Sequence, residues 1–158
     1  MNLICLDLEA SGLGPYSYPI EVAWKGTEEV SDSFLINPDS VPEWTFWDEY
    51  AEELHNICRS ELREHGISAL SACLRLNDAL EGRDVLSDAW EFDHFWLTRL
   101  FKAAGQKMAF RLVSLREVLS AEELIQYQFV CKAQLRQHRA MDDVDHILQA
   151  IRSVRFSD

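Results

Sequence analysis

The first 37 residues contain three runs with strand-like patterns, and short connections separate them. The runs cover residues 2–8, 18–25 and 30–37, and turn-forming residues in the sequence KGTEE separate the second from the third. Antiparallel strands can be joined by short turns, whereas parallel strands need long crossovers. The order of these runs therefore predicts a three-stranded antiparallel meander at the start of the chain.

Helical patterns alternate with two further strand-like runs in the rest of the chain. The helical patterns cover residues 48–57, 67–80, 91–105, 120–136 and 140–154, and the strand-like runs cover residues 83–88 and 110–115. Gly105 is placed to end one helix, and Ser120 with Glu123 forms a capping-box pattern at the start of another. Residues 37–44 contain two prolines and predict a loop. Together these patterns predict an α/β fold, with a five-stranded mixed sheet flanked by helices.

Length and composition favour one domain over residues 1–158. A chain of 158 residues that is 47% hydrophobic can bury a sizeable core without disulfides. No apolar stretch reaches 18 residues and the start has no secretion pattern, so we expect a cytoplasmic protein without membrane segments. The four cysteines show no C-x-x-C spacing and are expected to be reduced core thiols. They are Cys5, Cys58, Cys73 and Cys131.

Charge is distributed unevenly along the sequence. The net charge is −12, with 20 acidic and 5 basic residues up to residue 98, and 7 acidic and 10 basic residues after it. A protein this acidic is not expected to hold long nucleic acid through bulk electrostatics. It can still bind a nucleic acid end if cations bridge its acids to phosphate. The basic C-terminal part offers either a phosphate-contacting strip or an ordinary solvated surface.

Two acids lie at the end of the first predicted strand, where its pattern is otherwise apolar. Asp7 and Glu9 point to the same face of a strand, about 7 Å apart along the chain. Like charges at that distance repel, so either the strand end is solvated or a cation lies between them. Hard cations such as Mg²⁺ prefer such oxygen ligands. The loop that follows, with Ser11 and Gly12, is either a plain turn or a close approach to a ligand.

Two more acids lie beside apolar helical stripes. Asp93 shares a helix face with Trp96, Leu97 and Leu100, although an acid there also complements the helix dipole. Asp88, five residues earlier, is assigned to capping or loop solvation.

Asp143 is the second of these acids, beside the apolar stripe of the last helix. On a continuous helix His138 would lie about 140° away from Asp143, so the two can meet only if His138 precedes the helix. Such a histidine is either a surface residue or a general base, since its usual pKa lies near neutral pH.

Three motifs in this order resemble the DEDDh group of 3′–5′ exonucleases, the relatives of proofreading subunits, ribonuclease T and oligoribonuclease. The motifs are Asp7-x-Glu9 with Ser11-Gly12-Leu13, Asp93 in a helix after a short strand, and His138 with Asp143 in HRAMDD. The resemblance extends over nearly the whole chain. It implies an RNase H-like fold.

The resemblance also implies a catalytic set and a mechanism. Asp7, Glu9, Asp93 and Asp143 would hold two Mg²⁺ or Mn²⁺ ions, and His138 would be the general base. The ions would lie about 4 Å apart and clamp the scissile phosphate, one activating water and the other stabilising the leaving 3′ oxygen. The product would be a nucleoside 5′-monophosphate.

Substrate-binding residues follow from the same resemblance. Ser11, Gly12 and Leu13 lie in the first motif, and His55 with Ile57 matches a segment that often lies near the terminal nucleotide. A buried role for Ile57 is equally compatible with the sequence.

The sequence also departs from the pattern of the family. Ser11 replaces a frequent threonine and keeps its hydroxyl. The residues Ser87-Asp88-Ala89-Trp90 stand where many relatives have a His-Asn pair before the second-motif acid. Trp44, Trp47 and Trp90 are candidates either for base stacking or for packing.

The predicted substrate is single-stranded or short RNA or DNA with a free 3′ end, with a slight preference for RNA. A catalytically weak or inactive nucleic-acid-binding module and an RNase H-like endonuclease are the alternatives. No metal ligand or base is missing from the motifs, which argues against the inactive module. Many relatives pair, so the resemblance also allows a homodimer.

Overall fold

The computed structural model describes residues 2–134 and 138–155 and places five strands in one sheet. The strands are β1 (Ile4–Ala10), β2 (Pro19–Gly26), β3 (Ser31–Leu35), β4 (Asp84–Ser87) and β5 (Arg111–Ser114). Their order across the sheet is β3-β2-β1-β4-β5. The first three strands form an antiparallel meander, and β4 and β5 add parallel strands beside β1. The predicted α/β class with a mixed five-stranded sheet is confirmed.

Six α-helices within residues 2–134 and 138–155 flank the sheet. They are α1 (Glu49–His55), α2 (Arg59–His65), α3 (Ala69–Leu80), α4 (Trp90–Ala104), α5 (Ala121–Ala133) and α6 (Ala140–Arg155). Short 3₁₀ turns cover Pro38–Ser40 and Leu115–Glu117. None of the helices in the described part of the chain is long and apolar enough to cross a membrane.

Local capping chemistry explains where two of these helices begin and end. The Ser120 side chain accepts a hydrogen bond from the Glu123 backbone N–H, and the Glu123 side chain accepts one from the Ser120 backbone N–H. Gly105 ends α4 with a φ of +64°, which glycine adopts without a steric penalty. Both predicted caps are confirmed. Residues 135 and 136, which the sequence assigns to the end of α5, lie outside the described residues.

The structure differs from the predicted elements in three places. Helix α2 was not predicted, because it buries only Leu62 and has no side-chain cap to mark its start. Strand β1 begins and ends two residues later than predicted. The predicted loop at residues 37–44 contains a 3₁₀ turn, which begins at Pro38 after the Asn37 side chain caps it.

Hydrophobic clusters lie on both faces of the sheet. Alternation along β1 places Ile4, Leu6 and Leu8 in the cluster that includes residues of α3 and α4. Cys5 lies in the cluster formed with α5 and α6. Since Asp7 and Glu9 follow Cys5 at the strand period of two, they face the side on which α6 packs.

Two cysteines do not lie in the core. Cys5 and Cys73 are buried as predicted, but Cys58 is exposed and Cys131 is half-buried. The prediction of four core thiols is therefore wrong for these two. Cys58 lies between α1 and α2, where its sulfur contacts the Ser60 hydroxyl at 3.1 Å.

Candidate metal centre

The register of two parallel strands brings the first pair of acids together. Cys5 of β1 lies beside Leu86 of β4. Asp7 and Asp88 each follow these partners by two residues, so both lie at the carboxyl edge of the sheet. Neighbouring strands are about 4.8 Å apart, so the carboxylate of Asp7 on β1 and that of Asp88 just after β4 lie within reach of one cation.

Two helices add the other acids. Asp93 lies in the first turn of α4 and is 1% exposed. The hydroxyl of Ser87, the last residue of β4, donates a hydrogen bond of 2.6 Å to Oδ2 of Asp93. Asp143 lies in the first turn of α6 and is also buried, because the apolar residues around it on α6 pack on the sheet.

The carboxylates form two groups that share one residue. Asp7, Asp88 and Asp93 each offer an oxygen within 4.8 Å of the others. Asp7, Glu9 and Asp143 form a second group with the same spacing. Four of these acids are the predicted metal ligands, and the structure brings them together. Asp88 is a fifth acid that the sequence assigned to capping or solvation.

Mutual repulsion and burial raise the proton affinity of the centre. Burial, with added repulsion from Asp93 and Asp143, raises the pKa of Asp7 well above its usual range. Burial, with repulsion from Asp143, raises the pKa of Glu9 to about 9. A hydrogen bond also links the side chains of Glu9 and Asp143. Burial also raises the pKa of Asp93, although the Ser87 hydroxyl opposes that shift. The protein therefore holds protons here at neutral pH unless a cation replaces them.

The donor set fits a hard divalent cation. Oδ2 of Asp7 is buried and accepts no hydrogen bond from any described residue, although Asp7 belongs to both groups. A buried carboxylate oxygen without a partner is costly, and a metal ion supplies the missing interaction. All ligand atoms in the two groups are carboxylate oxygens, which Mg²⁺ and Mn²⁺ prefer.

The predicted general base lies just before α6. His138 is exposed, lies two residues before the helix begins and has a φ of +54°. This placement satisfies the condition that His138 must precede the helix to approach the face of Asp143. His138 is not a member of either carboxylate group.

An ion pair between a buried glutamate and a partly exposed arginine fixes the segment beside His138. The Arg139 guanidinium donates to both carboxylate oxygens of Glu21 on β2, with a shortest distance of 2.7 Å. The backbone N–H of Ala140 donates to Oε1 of Glu21 at 2.8 Å. Glu21 lies opposite Glu9 in the antiparallel pair of β1 and β2. It therefore anchors the start of α6, which carries Asp143, to the strand beside the metal centre.

The predicted substrate residues of the first motif lie in three different settings. Ser11 is buried, and its hydroxyl accepts the backbone N–H of Tyr18 at 3.2 Å, so it fixes the loop. Gly12 lies against Phe46, where a Cβ atom would come within 2.8 Å of the ring. Leu13 is 67% exposed and is available to a ligand.

His55 and Ile57 do not reach the surface. Both are buried, and Nδ1 of His55 accepts the Ile57 backbone N–H at 3.0 Å. Ile57 packs in the core cluster on the α3 side of the sheet. The predicted contact of Ile57 with a base has no exposed surface to support it, and the alternative buried role matches its position.

The three candidate tryptophans also occupy different environments. Trp44 is buried and stacks on Tyr18, with ring centres 5.1 Å apart, so it is a packing residue. Trp47 is half-buried and lies edge-on to His55. Trp90 is half-buried, donates to the Leu112 carbonyl and stacks on the His94 ring.

Sequence reasoning missed three features of this region. Asp88 was not recognised as part of the acidic cluster, although an acid at the end of a strand parallel to β1 was the available signal. Glu21 gave no signal, because its partner lies 118 residues away. Phe92, which precedes Asp93 in sequence, is half exposed and packs its ring beside that of Trp96.

No protein-family model matches this sequence, and no curated protein matches it. Solved structures of exonuclease I are similar in fold. One exonuclease I structure has a TM-score of 0.74 at 16% identity, and the match covers 98% of this chain and 41% of that chain. Exonuclease I from E. coli with a dA16 oligonucleotide has a TM-score of 0.76 at 16% identity, with the same coverage.

A zinc-bound complex of E. coli exonuclease I with single-stranded DNA has a TM-score of 0.74 at 15% identity, covering 98% of this chain and 40% of that chain. The chain therefore spans about two-fifths of the exonuclease I chains it matches. At this identity the likeness establishes a shared fold, the RNase H-like fold that the sequence predicted.

Proposed function

We propose that this protein is a metal-dependent 3′–5′ exonuclease that removes nucleoside 5′-monophosphates from single-stranded or short nucleic acid. The observation that carries the proposal is the pair of carboxylate groups that share Asp7, whose buried Oδ2 has no hydrogen-bond partner among the described residues. We take residues 1–158 as one nuclease domain.

The metal-binding residues in this proposal are Asp7, Glu9, Asp93 and Asp143, which would hold two Mg²⁺ or Mn²⁺ ions. When bound, such ions polarise the scissile phosphate and stabilise charge on the attacking and leaving oxygens. The chain contributes a preformed and largely buried set of oxygens, held in place by the Ser87 hydrogen bond and by the anchored start of α6.

His138 is assigned the proton transfer. Its imidazole would accept the proton of the attacking water, since His138 is exposed, lies two residues before α6 and is not one of the clustered ligands. The Glu21–Arg139 pair limits where the backbone next to His138 can lie.

Exposed apolar side chains near the centre favour an unpaired strand as the substrate. Leu13 and Phe92 adjoin predicted site residues in sequence, and Phe46 packs on Gly12. Unpaired bases can stack on the rings of Phe46 and Phe92 whatever their sequence, and Leu13 can pack against them. The exonuclease I structures contain single-stranded DNA oligonucleotides, which supports the same substrate class here.

An open cavity of about 960 Å³ adjoins the centre at Asp88 and is assigned to the rest of the strand. Trp90 lines it, together with Arg116 and Lys132 from the basic C-terminal part of the chain. Arg111 also lines it but is paired with Asp84 and Glu117. Arg116 and Lys132 are therefore the side chains that can contact phosphate there. The slight preference for RNA and the homodimer remain predictions.

The test is incubation of the protein with single-stranded RNA and DNA labelled at the 3′ or the 5′ end, in Mg²⁺ and in EDTA. We expect the 3′ label to appear at once as a mononucleotide and the 5′-labelled strand to shorten stepwise, only with metal. Asp143→Asn is the inactive control, and Asp142→Asn, an exposed neighbour on the same helix, is the active one. Internal cuts would indicate an endonuclease, and binding without cleavage would indicate an inactive module; either result overturns the proposal.

A further inference from the structure

We propose that Asp88 is a fifth carboxylate ligand of the metal centre and binds one of its two ions directly, together with Asp7 and Asp93. This inference rests on the metal centre of the proposed function. It extends that centre beyond the four acids implied by the family resemblance, in the segment where the sequence departs from the family pattern.

Backbone geometry determines the position of Asp88. Strands β1 and β4 are parallel and pair at Cys5 and Leu86, so Asp7 and Asp88 continue the same register at the same edge of the sheet. Side chains two residues apart along a strand project to the same side. Asp88 comes directly after Ser87, the last residue of β4, and its carboxylate offers an oxygen within 4.8 Å of oxygens of Asp7 and Asp93.

The alternative role of Asp88 as a helix cap is not what the structure contains. The N-cap position of α4 is Ala89, and no side chain caps that helix. Instead Ser87 Oγ accepts the Ala89 backbone N–H at 3.1 Å, while its hydroxyl donates to Asp93. The Tyr127 hydroxyl lies 3.5 Å from Oδ2 of Asp88, a long contact for a hydrogen bond. Capping therefore does not account for an acid at this position.

A second observation points from this acidic group to a cation. Asp7 is more than nine-tenths buried, and its Oδ2 has no hydrogen-bond partner in the described part of the chain. Asp93 is almost fully buried and is oriented by the Ser87 hydroxyl. A cation bound among Asp7, Asp88 and Asp93 would supply the interaction that Oδ2 of Asp7 lacks.

The two ions should therefore depend on different residues. Asp88 belongs to the group with Asp7 and Asp93 and not to the group with Glu9 and Asp143. Loss of the Asp88 carboxylate should lower the affinity for one ion and leave the affinity for the other unchanged. A change in overall charge alone would affect both ions similarly and would be screened by salt.

The experiment is a titration of the metal-free protein with Mn²⁺, in which free Mn²⁺ is measured by electron paramagnetic resonance and heat by calorimetry. We expect two ions bound to the unsubstituted chain. Asp88→Asn should retain one ion at unchanged affinity and bind the other roughly tenfold or more weakly, by analogy with the loss of groups that support a metal site. Asp142→Asn removes the same charge from an exposed position and should change the affinity for neither ion. Glu9→Gln should weaken the ion that Asp88→Asn spares.

Two results would overturn this inference. One is an Asp88→Asn titration that matches the unsubstituted chain; the other is an equal weakening of both ions that added salt removes. The outcome is separable from that of the proposed function. Two bound ions that depend on Asp88, without nuclease activity, would refute only the function. Nuclease activity with a titration unaffected by Asp88→Asn would refute only this ligand.

Discussion

The ion pair between Glu21 and Arg139 predicts an unequal response to removing either partner. The Glu21 side chain is 7% exposed, whereas the Arg139 side chain is 42% exposed. Arg139→Ala leaves a buried carboxylate without its guanidinium, beside Glu9 on the neighbouring strand. Glu21→Ala leaves a guanidinium that already reaches water. The two variants remove the same interaction but leave very different groups behind.

The magnitudes follow from what each variant leaves. Stranding a buried charge costs about 3–5 kcal/mol, and we expect the lower end because water already reaches Arg139. Glu21→Ala loses the hydrogen bond to the Ala140 backbone N–H, about 1 kcal/mol, and removes a negative charge beside Glu9 that partly offsets this loss. For a domain of this size, the midpoint of thermal unfolding should fall by about 6–12 °C for Arg139→Ala and by about 2–4 °C for Glu21→Ala.

The assay is urea unfolding in EDTA at neutral pH, followed by fluorescence, with thermal unfolding as a second measurement. Arg152→Ala, an exposed arginine on the same helix, is the matched control and should change stability little. The double variant Glu21→Ala/Arg139→Ala should be more stable than Arg139→Ala alone, because it also removes the stranded carboxylate. If Glu21→Ala lowers the free energy of unfolding as much as Arg139→Ala does, or if the double variant is the least stable of the three, the reasoning about burial is wrong.

Three further predictions concern the acids and the histidine. The metal-free protein should lose stability as pH rises from about 4.5 to about 9. The reason is that the pKa of Glu9 is raised to about 9 in the folded state, whereas the unfolded chain releases that proton at lower pH. Urea unfolding at several pH values checks this, and a rise in stability with pH would contradict it. Asp7→Asn should stabilise the metal-free protein by relieving repulsion between the acids, and it should abolish the rise in melting temperature that Mn²⁺ produces. Thermal unfolding with and without Mn²⁺ measures both effects. An undiminished rise would show that Asp7 is not a ligand of the centre. His138→Ala should slow hydrolysis by about 10²–10⁴-fold while Mn²⁺ affinity stays unchanged, measured by single-turnover kinetics and titration; normal turnover would exclude it as the base.

The fold was predictable because its signals are local. Three strand-like runs, with turn-forming residues between the runs that become β2 and β3, specify the meander, and the Ser120 capping box and Gly105 set helix ends. Helix α2 lacks both kinds of signal, since it has one buried residue and no side-chain cap. It is held by tertiary packing, which a pattern within a few residues does not contain.

The acids of the site were recognisable because their positions conflict with their chemistry. Asp7, Asp93 and Asp143 each lie on a face that otherwise packs in the core, and a buried acid needs a reason. Asp88 follows the end of β4 and lacked that conflict, so a solvated or capping role was the simpler interpretation. Only the parallel register of β1 and β4 shows that it faces Asp7.

Residues whose role depends on distant partners were beyond sequence reasoning. Glu21 and Arg139 lie 118 positions apart and meet only after α6 packs on β2. For Ile57 the sequence left two roles open, a ligand contact and a buried position, and the fold places its side chain in the core. Burial of a single apolar residue outside a periodic helix or strand is decided by the tertiary structure.

The most direct test of the central claim is anomalous diffraction from crystals soaked in Mn²⁺. We expect two manganese peaks that share Asp7 as a ligand, one also bound by Glu9 and Asp143 and the other by Asp93 and Asp88. The account would be contradicted by a difference map that shows no manganese at these carboxylates, provided that the soak contains more Mn²⁺ than cleavage requires.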